Sequence, residues 1–280
     1  MENLGAETVG TMPIPLPTVA SQRAIADFLD RETARIDALI AAKERLLELL
    51  AEKRRALITR AVTRGLDPNV RLRDFGVPWL GEIPAHWGME RARWLFRERN
   101  QRSEQGEEEL LTVSHITGVT PRSEKDVNMF EAETKEGYKI CLKDDLVINT
   151  LWAWMGAMGV SPVDGIVSPA YNVYELDERL EPAYVDALVR LQTFAAEVIR
   201  YSKGVWSSRL RLYPEGFFEV CLPLPPRREQ QRIVVHIERE NGKLDALKAA
   251  AERTITLLTE RRTALIAAAV TGKIAVEAAA

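Results

Sequence analysis

The feature that most constrains this chain is an internal repeat. Nearly the same segment occurs near each end, at a constant offset and without a gap. Pro15-Leu16-Pro17 returns as Pro223-Leu224-Pro225, Gln22 as Gln230 and Asp37-Ala38-Leu39 as Asp245-Ala246-Leu247. Glu44-Arg45 returns as Glu252-Arg253, and Ala56-Leu57-Ile58 with Ala61-Val62-Thr63 returns as Ala264-Leu265-Ile266 with Ala269-Val270-Thr271. Two copies are too few for a solenoid, in which at least three units stack to bury a continuous core. They describe one long helical segment placed on either side of a single insert, an arrangement that spaces things apart.

The first copy reads as a helix from about Thr18 to Arg64. Pro17 precedes it, Thr18 or Ser21 can cap its free N–H groups, and Gly65 with Pro68 stops it. Ile25, Leu29, Ile36, Leu39, Leu46, Leu50 and Leu57 alternate three and four apart, with Glu32, Lys43 and Lys53 at intervening seam positions, a coiled-coil period with polar interruptions. The second copy, about Pro226 to Thr271, continues the seam through Ile233, Ile237, Leu244, Leu247, Leu258 and Leu265. At 1.5 Å per residue each helix is roughly 70 Å long, too long for a compact domain of this size to enclose. Pairing within the chain and pairing with a second copy both bury such a seam, and the pattern does not choose between them.

Between the helices, Asp67 to Leu222 reads as a globular insert. Leu110–Ile116, Lys139–Ile148 and Ile166–Tyr174 have strand composition, separated by turn signals at Gly118, Asp144-Asp145, Pro162 and Asp164-Gly165. Glu181 to Tyr201 reads as one amphipathic helix with Tyr184, Leu188, Leu191, Ala195 and Ile199 on a face. The expected fold is α+β: one mixed α/β domain flanked by two long helices forming a coiled coil.

With 280 residues and 46% hydrophobic content the chain can bury a sizeable core. Its longest apolar run, Leu151 to Val160, is too short to cross a bilayer, and the first residues are acidic and Gly-rich rather than basic and then apolar. No membrane partner is expected. Cys141 and Cys221 lack CxxC spacing and read as reduced core residues of a cytoplasmic protein. The formal charge of −3 is unevenly distributed. Arg200, Lys203, Arg209 and Arg211 fall in one stretch without an acid, and Arg91 to Arg102 carries five arginines against Glu98. Such stripes suit contact with phosphates, whose field is felt within a Debye length of ~8 Å, or form a solvated face.

Signals for catalysis are missing. The sequence has no GxxxxGK[ST] loop, and His86, His115 and His236 lack metal-ligand spacing. Ser168-Pro169-Ala170-Tyr171 superficially resembles the tetrapeptide with which amino-methyltransferases hold a flipped base. Ala170 breaks that pattern and no Gly-rich cofactor loop precedes it. No cofactor or metal is expected. Trp152, Trp154 and Met155 form an apolar stripe that reads as core in preference to a base-stacking surface.

Two loops have the composition of a DNA face. Ser114-His115-Ile116-Thr117-Gly118-Val119-Thr120-Pro121-Arg122 collects short hydrogen-bonding side chains and ends on an arginine. Lys203-Gly204-Val205-Trp206-Ser207-Ser208-Arg209, with Arg211 beyond, combines cations and hydroxyls around a glycine that permits close backbone approach. The candidate DNA-binding residues are therefore Ser114, Thr117, Thr120, Arg122, Lys203, Gly204, Ser207, Ser208, Arg209 and Arg211. The basic run Lys53-Arg54-Arg55 with Arg60 and Arg64 reads mostly as a solvated helix face.

Several blocks in order resemble the specificity subunit of type I restriction-modification systems. They are Trp79-Leu80-Gly81-Glu82-Ile83-Pro84 with His86-Trp87, Asn149-Thr150-Leu151-Trp152-Ala153-Trp154-Met155-Gly156, Gly165-Ile166-Val167-Ser168-Pro169-Ala170-Tyr171, Ser207-Ser208-Arg209-Leu210-Arg211-Leu212-Tyr213, and Leu222-Pro223-Leu224-Pro225-Pro226 with Glu229-Gln230-Gln231. The resemblance implies a non-catalytic reader of part of a bipartite double-stranded DNA target. It also implies docked methyltransferase (modification) subunits, with restriction subunits in the full complex and both reactions performed by those partners.

Such subunits hold two recognition domains, whereas this chain has one. Residues 1–17 then read as the remnant tail of a first domain, 18–66 as a helical region, 67–225 as the target recognition domain, 226–272 as a second helical region and 273–280 as a tail. The chain is either a truncated form or a half-subunit that forms a homodimer. The competing reading is a coiled-coil scaffold or decoy that binds protein rather than DNA.

Overall fold

A computed structural model describes residues 10, 11, 14, 16–124, 134–204 and 210–276. Its contacts divide the chain into a helical unit, residues 1–54 with 242–280, and a globular unit, residues 55–241. Two long helices contribute to both. Helix α1 spans Val19–Arg64; Thr18 caps it, its Oγ1 accepting from the Ser21 N–H at 3.2 Å, and Gly65 stops it in the left-handed region at φ 71°.

In the globular unit, strands β1 (Leu72–Asp74) and β2 (Glu82–Pro84) form an antiparallel pair, followed by β3 (Gly88–Arg91) and β4 (Phe96–Glu98). Next come the antiparallel hairpin β5 (Leu111–Ser114) and β6 (Gly118–Pro121), then β7 (Lys139–Cys141), β8 (Leu146–Asn149), β9 (Met158–Val160), β10 (Gly165–Val167) and β11 (Tyr171–Leu176). Helices α2 (Pro182–Val189), α3 (Gln192–Tyr201) and the single turn α4 (Pro214–Phe217) precede β12 (Cys221–Leu224), and the second long helix, α5, spans Arg227–Val270. The largest sheet is antiparallel in the order β4-β11-β8-β9, while β12 returns to pair with β3 and β10 pairs with β7.

Where long strands and one long helix are expected, the chain turns more often. Lys139–Ile148 is broken at Asp144, which adopts φ 71°, so that β7 and β8 join different sheets. Asp145 caps this turn: its Oδ2 accepts from the Leu142 N–H at 2.8 Å and its carboxylate is held by Arg99 at 2.7 Å. The expected helix over Glu181–Tyr201 is two helices, because Leu191 is extended at ψ 140° and restarts the chain. The break re-phases the apolar face. Tyr184, Leu188 and Val189 are buried on one side of it and Phe194 and Val198 on the other, while Ile199, expected inside, is 42% exposed.

The main core joins α2, α3 and β8 to Ala61 and Val62 at the end of α1 and Ile233 and Ile237 at the start of α5. The buried Tyr184 hydroxyl is paired there, donating to the Val62 carbonyl at 2.9 Å. Gln230 is fully buried, donating to the Pro225 and Arg179 carbonyls and accepting from the Glu181 N–H. A second core gathers Leu111, Val113, Val119, Cys141, Val147, Val167 and Val173. Burial there pushes the Cys141 thiol up to about 12, so it behaves as a packed apolar group. Cys221 is only partly buried, on β12.

In the helical unit α1 and α5 run antiparallel, and they pair within the chain. Arg262 donates to Asp37 at 2.8 Å, and Arg54 pairs with Asp245. Asp37 and Asp245 occupy the same position in the two copies of the repeat, as do Arg54 and Arg262, so one ion pair is the two-fold image of the other. Arg54 thus belongs to the pairing surface rather than to a solvated face. Ile36 and its repeat mate Leu244 are both buried, with Leu50 and Ala251.

Most of the expected seam is covered, with Ile36, Leu50 and Leu244 buried, and it departs locally. Leu39 and Leu46 are 49% and 37% exposed and Leu247 is 54% exposed, whereas Ile40, Lys43 and Leu47 are the more sheltered residues. The doubled leucines Leu46-Leu47 and Leu49-Leu50 offer two stripes of equal hydrophobicity, and the partner helix selects one.

Candidate nucleic-acid interface

The first candidate loop is the β5–β6 hairpin. Register pairs Ser114 with Gly118 and Thr112 with Thr120, so Thr120 lies on a strand, Ser114 at its end, and Thr117 is exposed in the turn. Gly118 has φ 70°, a conformation that favours glycine, and a Cβ there would lie 3.2 Å from the Arg190 guanidinium, so the approach is close. Arg190, just past α2, donates from Nη2 to the Ile116 carbonyl at 2.8 Å and pairs with Asp186 at 3.3 Å. The turn is therefore pinned to the helix layer. Ile116 projects 72% exposed from its tip. Arg122 follows in a short 3-10 turn, its N–H donating to the Leu110 carbonyl at 2.7 Å. Nothing in sequence spacing points to Arg190 as the anchor of this loop.

Of the second loop, Ser207, Ser208 and Arg209 lie outside the described residues. Lys203 and Arg211 are brought together: each N–H donates to the other's carbonyl at 2.9 Å, a one-pair antiparallel ladder closing the loop's base. Gly204 adjoins it and is exposed. Lys203 Nζ lies 3.3 Å from Glu215, and the Arg211 guanidinium sits over the Tyr213 ring at 5.9 Å. The Glu215 carboxyl is held below its usual range by its backbone hydrogen bond at the start of α4 and then by Lys203.

The other basic stripe has a structural use. Arg91 and Arg93 pair with Glu219, Arg97 with Glu175 and Arg99 with Asp145, and Arg102 donates to the Gly137 carbonyl. The Arg99–Asp145 bond raises the guanidinium's proton affinity against the opposing effect of burial. This stripe fastens strands to one another.

The stretch expected to be core at Trp152, Trp154 and Met155 is a surface turn. Trp152 is 50% exposed, Leu151 41% and Met155 37%, and only the small Ala153 is buried. The two indoles stack, with centroids 6.3 Å apart and 19° between planes. The sequence signal for a turn was present in Asn149-Thr150 before the run and Gly156 after it, but bulky apolar side chains argued for the interior. Thr150 ties this turn to both neighbours, accepting from the Leu212 N–H at 3.1 Å and donating from Oγ1 to the Ala170 carbonyl at 2.8 Å.

Among the described residues there is no cluster of three metal-ligating side chains, and no helix is long and apolar enough to cross a membrane. His86 hydrogen-bonds Glu229 at 2.9 Å and His236 neighbours Arg239.

No family model and no curated protein matches the sequence. Solved structures do match. Over 98% of this chain it superposes on the crystal structure of the HsdS subunit from Thermoanaerobacter tengcongensis, with a TM-score of 0.58 and 17% identity. The chain has the HsdS fold. A chain from a structural study of complex assembly and conformational transition in the type I R-M system matches over 93% of this one, with a TM-score of 0.57 and 19% identity. This chain spans 64% of the length of the first HsdS-type structure and 62% of the second. Two long terminal helices and a sheet domain are thus features of the HsdS fold as well as of this chain.

Proposed function

We propose that this chain is a non-catalytic DNA-reading component of a type I restriction-modification assembly in the cytoplasm, recognising part of a bipartite duplex target and docking methyltransferase subunits. The observation that carries this reading is the HsdS fold over 98% of the chain. It is supported by polar and cationic residues on the β5–β6 hairpin and the Lys203–Arg211 ladder, side chains able to meet phosphates and base edges. In this reading residues 67–225 read the DNA, and the paired regions 18–66 and 226–272 act as a spacer whose length sets the gap between half-sites, as symmetry sets half-site spacing elsewhere. Their exposed leucines, Leu39 and Leu49 with their repeat mates Leu247 and Leu257, offer two equivalent apolar patches for methyltransferase copies.

The test is a titration of duplex DNA with the full chain and its modification subunit at several salt concentrations. Binding should weaken steeply with salt. Charge reversal at Arg209 and Arg211 should weaken it by an order of magnitude or more and leave co-purification of the modification subunit unchanged. DNA binding that survives the reversal, or is absent with the partner present, overturns the DNA-reading role and leaves a protein-binding scaffold.

A further inference from the structure

We propose that the turn carrying Trp152 is a preformed aromatic platform that enters a base step of the bound duplex and unstacks it; this rests on the DNA-reading role above. Three observations converge on it. The first is an unusual exposure of apolar surface. Leu151, Trp152 and Met155 are all more than a third exposed and adjacent, although indole is among the most costly side chains to leave in water.

The second is rigidity. The Trp152 N–H donates to the Asn149 carbonyl at 3.0 Å, the Met155 and Ala157 N–H groups donate to the Trp152 carbonyl, and Trp154 Nε1 donates to the Leu151 carbonyl at 3.1 Å. Gly156 closes the turn at φ 86°, where its α-carbon faces Ala195 of α3 closely enough that an added Cβ would lie 3.6 Å from that methyl. Binding to a platform held in this way avoids the ordering cost that a flexible loop incurs.

The third is the charge beside it. Thr150 joins the turn directly to Leu212, the residue next to Arg211, and thereby to the Lys203–Arg211 ladder. Exposed aromatic groups flanked by cations fit a nucleic acid, in which a polyanionic backbone borders flat bases, better than they fit an apolar protein surface. Stacking of Trp154 behind Trp152 stiffens the outer ring, leaving its free face for a base.

The experiment uses the full chain with its modification subunit and a pool of random-sequence 40-bp duplexes, with binding followed by fluorescence anisotropy and base unstacking by permanganate oxidation of thymines. Trp152→Ala should weaken binding by about tenfold, the loss of one stacked base, and abolish the enhanced thymine reactivity, while Trp152→Phe retains both. Its salt dependence should match the wild type, since no phosphate contact is removed. Lys203→Ala with Arg211→Ala should instead flatten the salt dependence and leave the thymine reactivity visible at saturating protein.

Thermal unfolding of Trp152→Ala should stay close to wild type, because the ring is half in solvent. Unchanged affinity and reactivity in Trp152→Ala overturn the platform alone. A wild-type chain that binds no duplex with its modification subunit present overturns the platform and the DNA-reading role together, and a Trp152→Ala defect confined to association with a protein overturns the platform in favour of a protein-docking patch.

Discussion

The two copies of the repeat set related sequences, alike at about half of their positions, in two environments. Val62 is fully buried in the globular unit, while Val270, its mate, is 60% exposed. Ile233 is fully buried, while its mate Ile25 is only partly covered. Gln22 and Gln230 make the same local bond, each donating to the proline carbonyl five residues earlier at 2.8 Å, but only Gln230 is buried and bonded further to Arg179 and Glu181. The local helix is thus written in the repeat itself. What each position contributes to stability is decided by the neighbours its surroundings supply.

Matched substitutions in the two copies test this. The largest difference is expected at the isoleucines: Ile233→Ala should cost about 3 kcal/mol in denaturant unfolding and Ile25→Ala about 1 or less, since only the first empties a closed core. Equal losses would break the comparison. Next come the glutamines. Gln230→Ala strands the Glu181 N–H and two carbonyls in the interior and should cost about 2 kcal/mol, against about 0.5 for Gln22→Ala, whose groups reach water.

The smallest effect is one where the copies should agree. Asp37–Arg262 and Asp245–Arg54 are two-fold images with similar partial exposure, so double-mutant cycles should return couplings equal to within a few tenths of a kcal/mol, each ~0.5 kcal/mol. Unequal couplings would show that the symmetry is one of sequence only.

The extent of both long helices was legible because proline and glycine punctuate them and a long 3–4 period fills the space between. Most of their seam was legible too, Leu39, Leu46 and Leu247 excepted, since Leu46-Leu47 satisfies two stripes and only the partner's geometry discriminates. Strands of three or four residues carry too little alternation to be read: Lys139–Ile148 reads as one strand-like run although the turn signal Asp144-Asp145 lies inside it, and the left-handed turn at Asp144 splits it into β7 and β8. Strand β5 and the turn at Gly118 were legible, whereas the return strand β6 lies inside what reads as a loop and the anchor Arg190 comes from a distant helix end. The Trp152 turn was misread because the same indoles suit a core or a recognition surface, and burial depends on what the fold places over them.

The reciprocal ion pairs carry a further consequence. Because every copy bears both an acid and its complementary base, the two ion pairs could also form between the α1 helices of two molecules, and likewise between two α5 helices. Tethering in one chain raises the local concentration of the resident partner, so closure on itself wins in dilute solution and exchange between molecules grows with crowding of like chains. The device that makes the rod symmetrical would also set the register of any such exchange.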